Sequence, residues 1–232
     1  MISSDALLRL AQFDTPTICN ALELVDTHTR TKGFNRLPLI APFTDRGPVI
    51  GYARTAIIRS STPHPEGRAE QMRLRFGYYE YVENGPRPSI AVIQDADETE
   101  RNLGAFWGEV QTHLHQALGC SGVITDGAVR DIPQMAEGFF VLAGSIMPSH
   151  VFADIVDYDC PVTVAGLQVA PGDIIHADCH GAVVIPRAAV GFIADASALL
   201  VRRESVILDA CKRPGFSTAD IRAAFKQMED IS

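Results

Sequence analysis

The sequence contains no long apolar run, and this absence excludes a membrane-spanning helix. A helix that crosses a bilayer needs about 18 or more consecutive apolar residues, and no segment of the 232-residue sequence approaches that length. The opening residues, MISSDALLRLAQFD, also lack the basic start and apolar core of a secretory signal. We therefore expect a cytoplasmic protein that has no membrane partner.

Cysteine is sparse, and its spacing argues against a disulfide framework. The five cysteines are odd in number, widely scattered and without a C-x-x-C motif: Cys19, Cys120, Cys160, Cys179 and Cys211. Such usage is typical of reduced thiols in a cytosolic protein.

Positive charge is in deficit, and the common phosphate-binding and hydrolase motifs are absent. There are 20 basic and 28 acidic residues, which give a net charge of −8, so we expect no nucleic-acid surface. The sequence has no GxGxxG, no GxxxxGK[ST] and no GxSxG. Nucleotide use and serine-hydrolase chemistry therefore have no support.

The order of predicted elements favours one α/β domain over residues 1–232, with a mixed sheet and helices at both ends. There is no repeat, low-complexity tract or linker, and 47% apolar residues are typical of a globular protein. The predicted helices cover residues 3–10, 14–25, 70–82, 104–118, 188–212 and 217 onwards. The predicted strands cover residues 49–58, 89–94, 123–125, 139–142, 161–164, 168–170, 174–178 and 182–185, with a Pro-Gly-Asp turn at residues 171–173.

Residues 107–131 carry the most informative pattern. An amphipathic helix ends at Gly119, and a short buried strand at residues 123–125 runs directly into a turn with three charges, Asp126, Arg130 and Asp131. Charged residues on a turn after a buried strand are where α/β proteins usually carry their chemistry.

Arg130 and Asp131 are the candidate functional pair on this turn. A carboxylate is a hard oxygen ligand that suits Mg²⁺ or Mn²⁺, and a guanidinium offers a planar set of donors to an anionic substrate or a developing oxyanion. Two plainer interpretations stay open at this point: a solvated turn, or an ion pair between Arg130 and Asp126.

Other polar clusters give weaker signals. His113 and His115 lie two apart on a helix and so point to different faces, and His176 and His180 straddle a predicted turn between strands. The acidic run at residues 95–100 suits either a metal site or a solvated loop, and we favour the loop.

Two stretches of the sequence resemble the RraA-like family. The first contains Gly108-Glu109, Gly119, Gly122, Asp126-Gly127 and Arg130-Asp131, and the second covers residues 169–178 and 181–186. The family includes the 4-hydroxy-4-methyl-2-oxoglutarate/4-carboxy-4-hydroxy-2-oxoadipate aldolases and the regulators of ribonuclease activity. The resemblance runs from about residue 14 to residue 232 and implies a swivelling β/β/α domain that assembles as trimers or hexamers, with active sites between subunits.

The resemblance also implies roles for individual residues. Asp131 would hold a divalent ion, Mg²⁺ or Mn²⁺, and Arg130 would contact the oxo-acid end of a small 2-oxo-acid substrate. The substrate carboxylate would be bound by the backbone amides of Gly108, Val110 and Gln111. Glu109 would help to order a water in proton transfer. Glu204 is the candidate for a glutamate that arrives from the C-terminal helix of a neighbouring chain.

The implied activity is metal-dependent cleavage of 4-hydroxy-2-oxo acids to pyruvate, together with oxaloacetate decarboxylation. The alternatives are a non-catalytic regulator that binds a ribonuclease or helicase, and another metal-dependent reaction on oxo or sugar acids. Asn20 stands where the aldolases carry an acid, and Gln134 where some members do, so the identity of the base stays open. Residues 60–82 match nothing recognisable.

Overall fold

The computed structural model describes residues 2–97 and 103–231, and within them lie six α-helices and twelve β-strands. The helices are α1 (Ser4–Leu10), α2 (Thr15–Val25), α3 (Gly67–Glu83), α4 (Glu109–Ala117), α5 (Val190–Cys211) and α6 (Thr218–Glu229). The strands are β1 (Val49–Arg59), β2 (Ser89–Asp95), β3 (Ala105–Trp107), β4 (Cys120–Thr125), β5 (Ala128–Val129), β6 (Phe140–Leu142), β7 (Ser145–Ile146), β8 (Asp154–Tyr158), β9 (Val162–Val164), β10 (Leu167–Val169), β11 (Ile174–Asp178) and β12 (Gly181–Ile185).

Seven strands form one mixed sheet around the long strand β1. β2 pairs with β1 in parallel, and β4 and β6 continue the parallel part beyond β2. On its other edge β1 pairs antiparallel with β11 over its first half and with β8 over its second half, and β12 completes a hairpin with β11. Residues 50–56 of β1 are all buried, as expected for a strand that is covered on both faces.

A second, smaller sheet carries the segment that leads to the candidate site. β3, β5 and β7 are three short parallel strands. The prediction of a helix from residue 104 is wrong at residues 105–107, because Ala105, Phe106 and Trp107 are all buried and pair with β5. The helix begins only at Glu109, after Gly108.

Helices cover the main sheet in two groups. α1, α2 and α5 pack with β11, β12 and the start of β1 around one apolar core, and α6 packs on α5. α3 and β3 lie over a second core built on β1, β2 and β4. The hairpin of β9 and β10 covers a third core, which is formed largely by β2, β4, β6 and β11.

The predicted α/β fold, with a mixed sheet and helices at both ends, is confirmed. The ends of α3 and α5 lie within three residues of the predicted ones, and the capping box predicted for the last helix is present at Ser217 and Asp220. None of the described helices combines the length and apolar character that a membrane crossing requires.

Candidate active site

The structure brings five of the predicted site residues to one cavity of about 250 Å³. These residues come from the start of α4 and from the turn after β5: Gly108, Val110, Gln111, Arg130 and Asp131. The two segments are joined through the small sheet, since the Arg130 backbone N–H donates to the Trp107 carbonyl at 2.9 Å.

Gly108 is necessary for close packing and not for an unusual backbone angle. Its φ of −169° is extended backbone, which any residue adopts. A Cβ at this position would lie 2.7 Å from Asp131 Oδ2 and 3.1 Å from Arg130 Cγ. The absent side chain is therefore what leaves room for the Asp131 carboxylate.

Asp131 is held in a conformation that non-glycine residues seldom adopt. Its φ of 53° and ψ of 37° lie in the left-handed region, which costs on the order of 1 kcal/mol. It precedes the short 3₁₀ helix Ile132–Gln134, but its side chain makes no capping hydrogen bond there. The carboxylate is thus not used as a helix cap, and 39% of the side chain is exposed.

Arg130 lies beside this carboxylate and not beside Asp126. Arg130 Nε is 3.4 Å from Asp131 Oδ2, and both side chains are partly exposed. Asp126 is buried and accepts a hydrogen bond from the Asp95 backbone N–H at 2.8 Å. The ion pair between Arg130 and Asp126 that the sequence left open is therefore wrong, and a freely solvated turn does not describe two side chains that line a cavity.

The first turn of α4 brings to the same place backbone amides that have no acceptor among the described residues. Gly108 is the N-cap residue, no side chain caps this helix end, and the first intrahelical bond runs from the Thr112 N–H to the Gly108 carbonyl at 3.1 Å. The amides of the preceding first-turn residues have no intrahelical acceptor, and together with the helix dipole they favour an anion.

A buried histidine fixes α4 to α3. His115 Nδ1 lies 2.7 Å from the Gln111 carbonyl, which can only accept, so Nδ1 carries the proton; Tyr78 Oη then donates to Nε2 over 2.9 Å. Burial lowers the pKa of His115 to about 4, so the ring is neutral near pH 7. Tyr79 adds a hydrogen bond from its hydroxyl to Gln111 Oε1 at 3.0 Å.

Sequence reasoning missed the contribution of α3 to this cavity. Gln71 and Arg75 lie four residues apart, hence on one helical face, and both line it. Gln71 Nε2 donates to Asp154 Oδ1, and Arg75 Nη2 lies 3.6 Å from the same oxygen. The spacing of Gln71, Arg75 and Tyr79 was the available signal, although it does not tell which neighbour the face meets.

The other predicted site residues do not line this cavity. Glu109 is exposed at the start of α4 and is not among the described residues that line the cavity. Glu204 is exposed on α5, which packs on α1, α2 and α6, and Asn20 is exposed on α2. The role predicted for Glu204 requires a neighbouring chain and stays a prediction.

The weaker sequence signals resolve into structural roles. His113 is exposed whereas His115 is buried, which confirms that they point to different faces. In the acidic run, Asp97 is buried and accepts hydrogen bonds from the Ser60 and Ser61 amides, so a solvated loop is wrong there; residues 98–100 lie outside the described residues.

Within the part of the chain that the structure describes, one group of three side chains has the spacing of metal ligands: Asp178, Cys179 and His180. Asp178 already accepts hydrogen bonds from the Thr15 and His180 amides, each at 2.8 Å, and these hold the turn between β11 and β12. Asp131 is not part of such a group. Any ion that it binds would keep much of its coordination for water or substrate.

The fold and the cavity define a class: an α/β protein with a mixed sheet and a small cavity whose described lining includes two arginines and one aspartate. The chain belongs to the RraA-like family, since the family model described as Aldolase/RraA matches residues 15–184. The resemblance found in the sequence is thereby confirmed.

Curated relatives are distant. The chain is 27% identical over 194 residues to Protein DlpA of Legionella pneumophila, which is 80% of this chain but 29% of that protein, so the chain spans less than a third of this relative. It is also 27% identical over 183 residues to a Halalkalibacterium halodurans protein named "Putative 4-hydroxy-4-methyl-2-oxoglutarate aldolase", covering 77% of this chain and 76% of that one.

Solved structures support the fold. RraAS2 of Streptomyces coelicolor, described as an unusual member of the RNase ES inhibitor RraA protein family, superposes with a TM-score of 0.68 at 22% identity over 91% of this chain and 98% of that one. The RNA-processing inhibitor RraA from Thermus thermophilis gives 0.52 at 19% identity, over 72% and 92% of the two chains. At these identities the likeness concerns the fold alone.

Proposed function

We propose that this protein is a divalent-metal-dependent carbon–carbon lyase of 2-oxo acids. It would cleave 4-hydroxy-2-oxo acids to release pyruvate, and it would also decarboxylate oxaloacetate. The observation that supports this proposal is the convergence of Asp131, Arg130 and the first-turn amides of α4 on one cavity. Both reactions leave the enolate of pyruvate, so one site that stabilises this anion serves both.

The residues present fit Mg²⁺ or Mn²⁺. Asp131 is the single carboxylate among the described residues that line the cavity, and it is used neither as a helix cap nor in a buried pair. Mg²⁺ is commonly bound through one or two carboxylates and retains several waters. When bound, the ion would supply Lewis-acid stabilisation to the 2-oxo group.

The chain's own groups would orient the substrate and stabilise its charge. The amides at the start of α4 would bind the carboxylate next to the 2-oxo group, because they have no acceptor among the described residues and lie at the positive end of the helix dipole. The Arg130 guanidinium would donate to the oxygen on which negative charge develops. Gly108 keeps this position open, since a Cβ there would displace the Asp131 carboxylate.

Proton transfer would involve two glutamates that do not line the described cavity. Glu109 lies at the start of α4 beside the cavity and would act through an ordered water, and Glu204 would reach a site only from a neighbouring chain. The role of Glu204 therefore requires assembly as a trimer or hexamer. A light-scattering mass that corresponds to one chain would remove Glu204 from the proposal.

A coupled assay for pyruvate formation from oxaloacetate tests the proposal. We expect a rate that requires Mg²⁺ or Mn²⁺ and exceeds the metal-only background. Asp131→Asn should abolish the metal-dependent part, and Arg130→Ala should lower turnover by about 10²-fold or more, as is usual when an oxyanion donor is lost. The matched control is Asp209→Asn, which changes an exposed aspartate on α5.

Two outcomes would overturn the proposal. Unchanged metal-dependent turnover in Asp131→Asn would remove this carboxylate from the site. No turnover by the unmodified protein on oxaloacetate or a 4-hydroxy-2-oxo acid, together with measurable binding to a ribonuclease, would favour the regulator function instead.

A further inference from the structure

We propose that Arg75 selects substrates that carry a second carboxylate, at the end of the molecule remote from the 2-oxo group. This inference rests on the proposed function, because it assigns the remaining charged residue of the same cavity. Arg75 comes from α3, in the part of the sequence that matches no recognisable motif.

The guanidinium of Arg75 is held in place, but most of its N–H donors have no acceptor among the described residues. A guanidinium carries five N–H donors, and the hydrogen bond that Arg75 makes within the described residues runs from Nη2 to the Ala153 carbonyl at a long 3.4 Å. Arg75 Nε is buried and has no hydrogen-bond partner among the described residues. The side chain is 27% exposed and lines the cavity, so terminal donors remain available to a ligand.

Asp154 positions Arg75 by charge but does not accept a good hydrogen bond from it. The Asp154 side chain is 3% exposed, and its Oδ1 lies 3.6 Å from Arg75 Nη2, which is beyond a good hydrogen bond. Oδ1 instead accepts the hydrogen bond from the Gln71 amide. The Phe106 ring, with its centroid 5.8 Å from Arg75 Cζ, packs near the guanidinium. These contacts restrain the side chain, and within the described residues no carboxylate makes a bidentate pair with the guanidinium.

The charge of the cavity favours a dianion. Among the described lining residues, Arg75 and Arg130 are positive and Asp131 is the single carboxylate. A divalent ion at Asp131 would add two further positive charges. The Asp154 carboxylate already lies 3.6 Å from Arg75 Nη2. A second substrate carboxylate would form a charge-assisted, bidentate pair with the guanidinium donors that Asp154 does not engage, whereas a substrate with one carboxylate would not.

Calorimetric binding of two unreactive acids tests this assignment without relying on turnover. The probes are 2-oxoglutarate and 2-oxopentanoate, which have the same chain length and differ in the second carboxylate, each titrated in the presence of Mg²⁺. The unmodified protein should bind the diacid about 10-fold to 100-fold more tightly, the range expected for a hydrogen bond to a charged group. Arg75→Gln should remove this preference and leave the affinity for the monoacid nearly unchanged.

Two further variants separate ligand binding from a structural role. Arg73→Gln is the matched control, since Arg73 is exposed on the same helix and pairs with Glu70; it should retain the preference. Arg75→Lys keeps a positive charge next to Asp154 but loses the planar fork, so it should lose about 10-fold in diacid affinity even if Arg75→Gln fails to fold.

Each contrary outcome has a separate meaning. Equal affinity for the two acids in the unmodified protein, or an unchanged preference in both Arg75 variants, would overturn the role of Arg75 while the proposed function stands. Absence of Mg²⁺-dependent binding of either acid to the unmodified protein would contradict the proposed function and this assignment together.

Discussion

At the residue scale, the candidate site depends on the close contact between Gly108 and Asp131. The carboxylate of Asp131, which has a left-handed backbone, lies so close to Gly108 that a Cβ there would be 2.7 Å from Oδ2. A strained aspartate against a glycine is the kind of arrangement that persists when the surrounding structure enforces it. Here the Trp107 carbonyl and the 3₁₀ turn after Asp131 provide that enforcement.

Gly108→Ala should therefore damage the site and spare the fold. The extended backbone at Gly108 tolerates alanine, while the new Cβ would displace the carboxylate of Asp131. We expect metal-dependent turnover to fall about 10²-fold, as misplacement by about 1 Å usually causes, with little change in the melting temperature. Gly47→Ala is the control, because a Cβ there meets nothing within 4 Å. Equal activity of Gly108→Ala and Gly47→Ala would contradict the claim that the site depends on the contact between Gly108 and Asp131.

The sequence predicted part of this site for physical reasons. Arg130 and Asp131 stand together shortly after a buried strand, β4, and this order is visible in the sequence; the two-residue strand β5 between them and β4 was not predicted. Arg75 was not predictable in the same way, because helical spacing defines a face but not the neighbour that the face meets. The cavity depends on long-range packing between α3 and the segment around Asp154, which no local pattern encodes.

At the element scale, α4 is positioned by its buried side chains. His115 bridges the Gln111 carbonyl and the Tyr78 hydroxyl, so the helix that presents the first-turn amides is fixed to α3. The short strand β3, which precedes α4, was predicted as helix because its three apolar residues suit either structure. Pairing with β5 decided the outcome.

This buried histidine predicts a dependence of stability on pH. The folded state holds the pKa of His115 at about 4, below the ordinary value of 6.5, so the unfolded chain binds a proton that the folded chain does not. The contribution of the neutral His115 ring to the free energy of unfolding is complete above pH 6.5. It is lost as the pH falls towards 4, and the loss is about 3 kcal/mol at most. His176, whose pKa is also lowered by burial, contributes in the same direction.

Urea unfolding between pH 7 and pH 4.5 measures this effect. His115→Gln should be less stable than the unmodified protein at pH 7, and its stability should fall less as the pH is lowered. His113→Gln, an exposed change on the same helix, should keep the original slope. An identical slope in His115→Gln would mean that this ring does not stay neutral in the folded protein.

At the scale of the whole molecule, the sheet brings together segments that are far apart in sequence. In chain order α3 follows β1, α4 precedes β4, and Asp154 begins β8. β1 pairs with β8, and α3 packs on β8. The fold class and the family were predictable, because apolar periodicity and two motif stretches carry them. The small sheet and the cavity were not, because they depend on pairing between strands of two or three residues.

The central claim is that Asp131 binds a divalent ion in this cavity, and a titration with Mn²⁺ followed by electron paramagnetic resonance tests it most directly. The unmodified protein should bind one Mn²⁺ per chain. Asp131→Asn, which tolerates the same left-handed backbone, should stay folded and bind at least about 10-fold more weakly. Equal Mn²⁺ affinity in the two proteins would contradict the account.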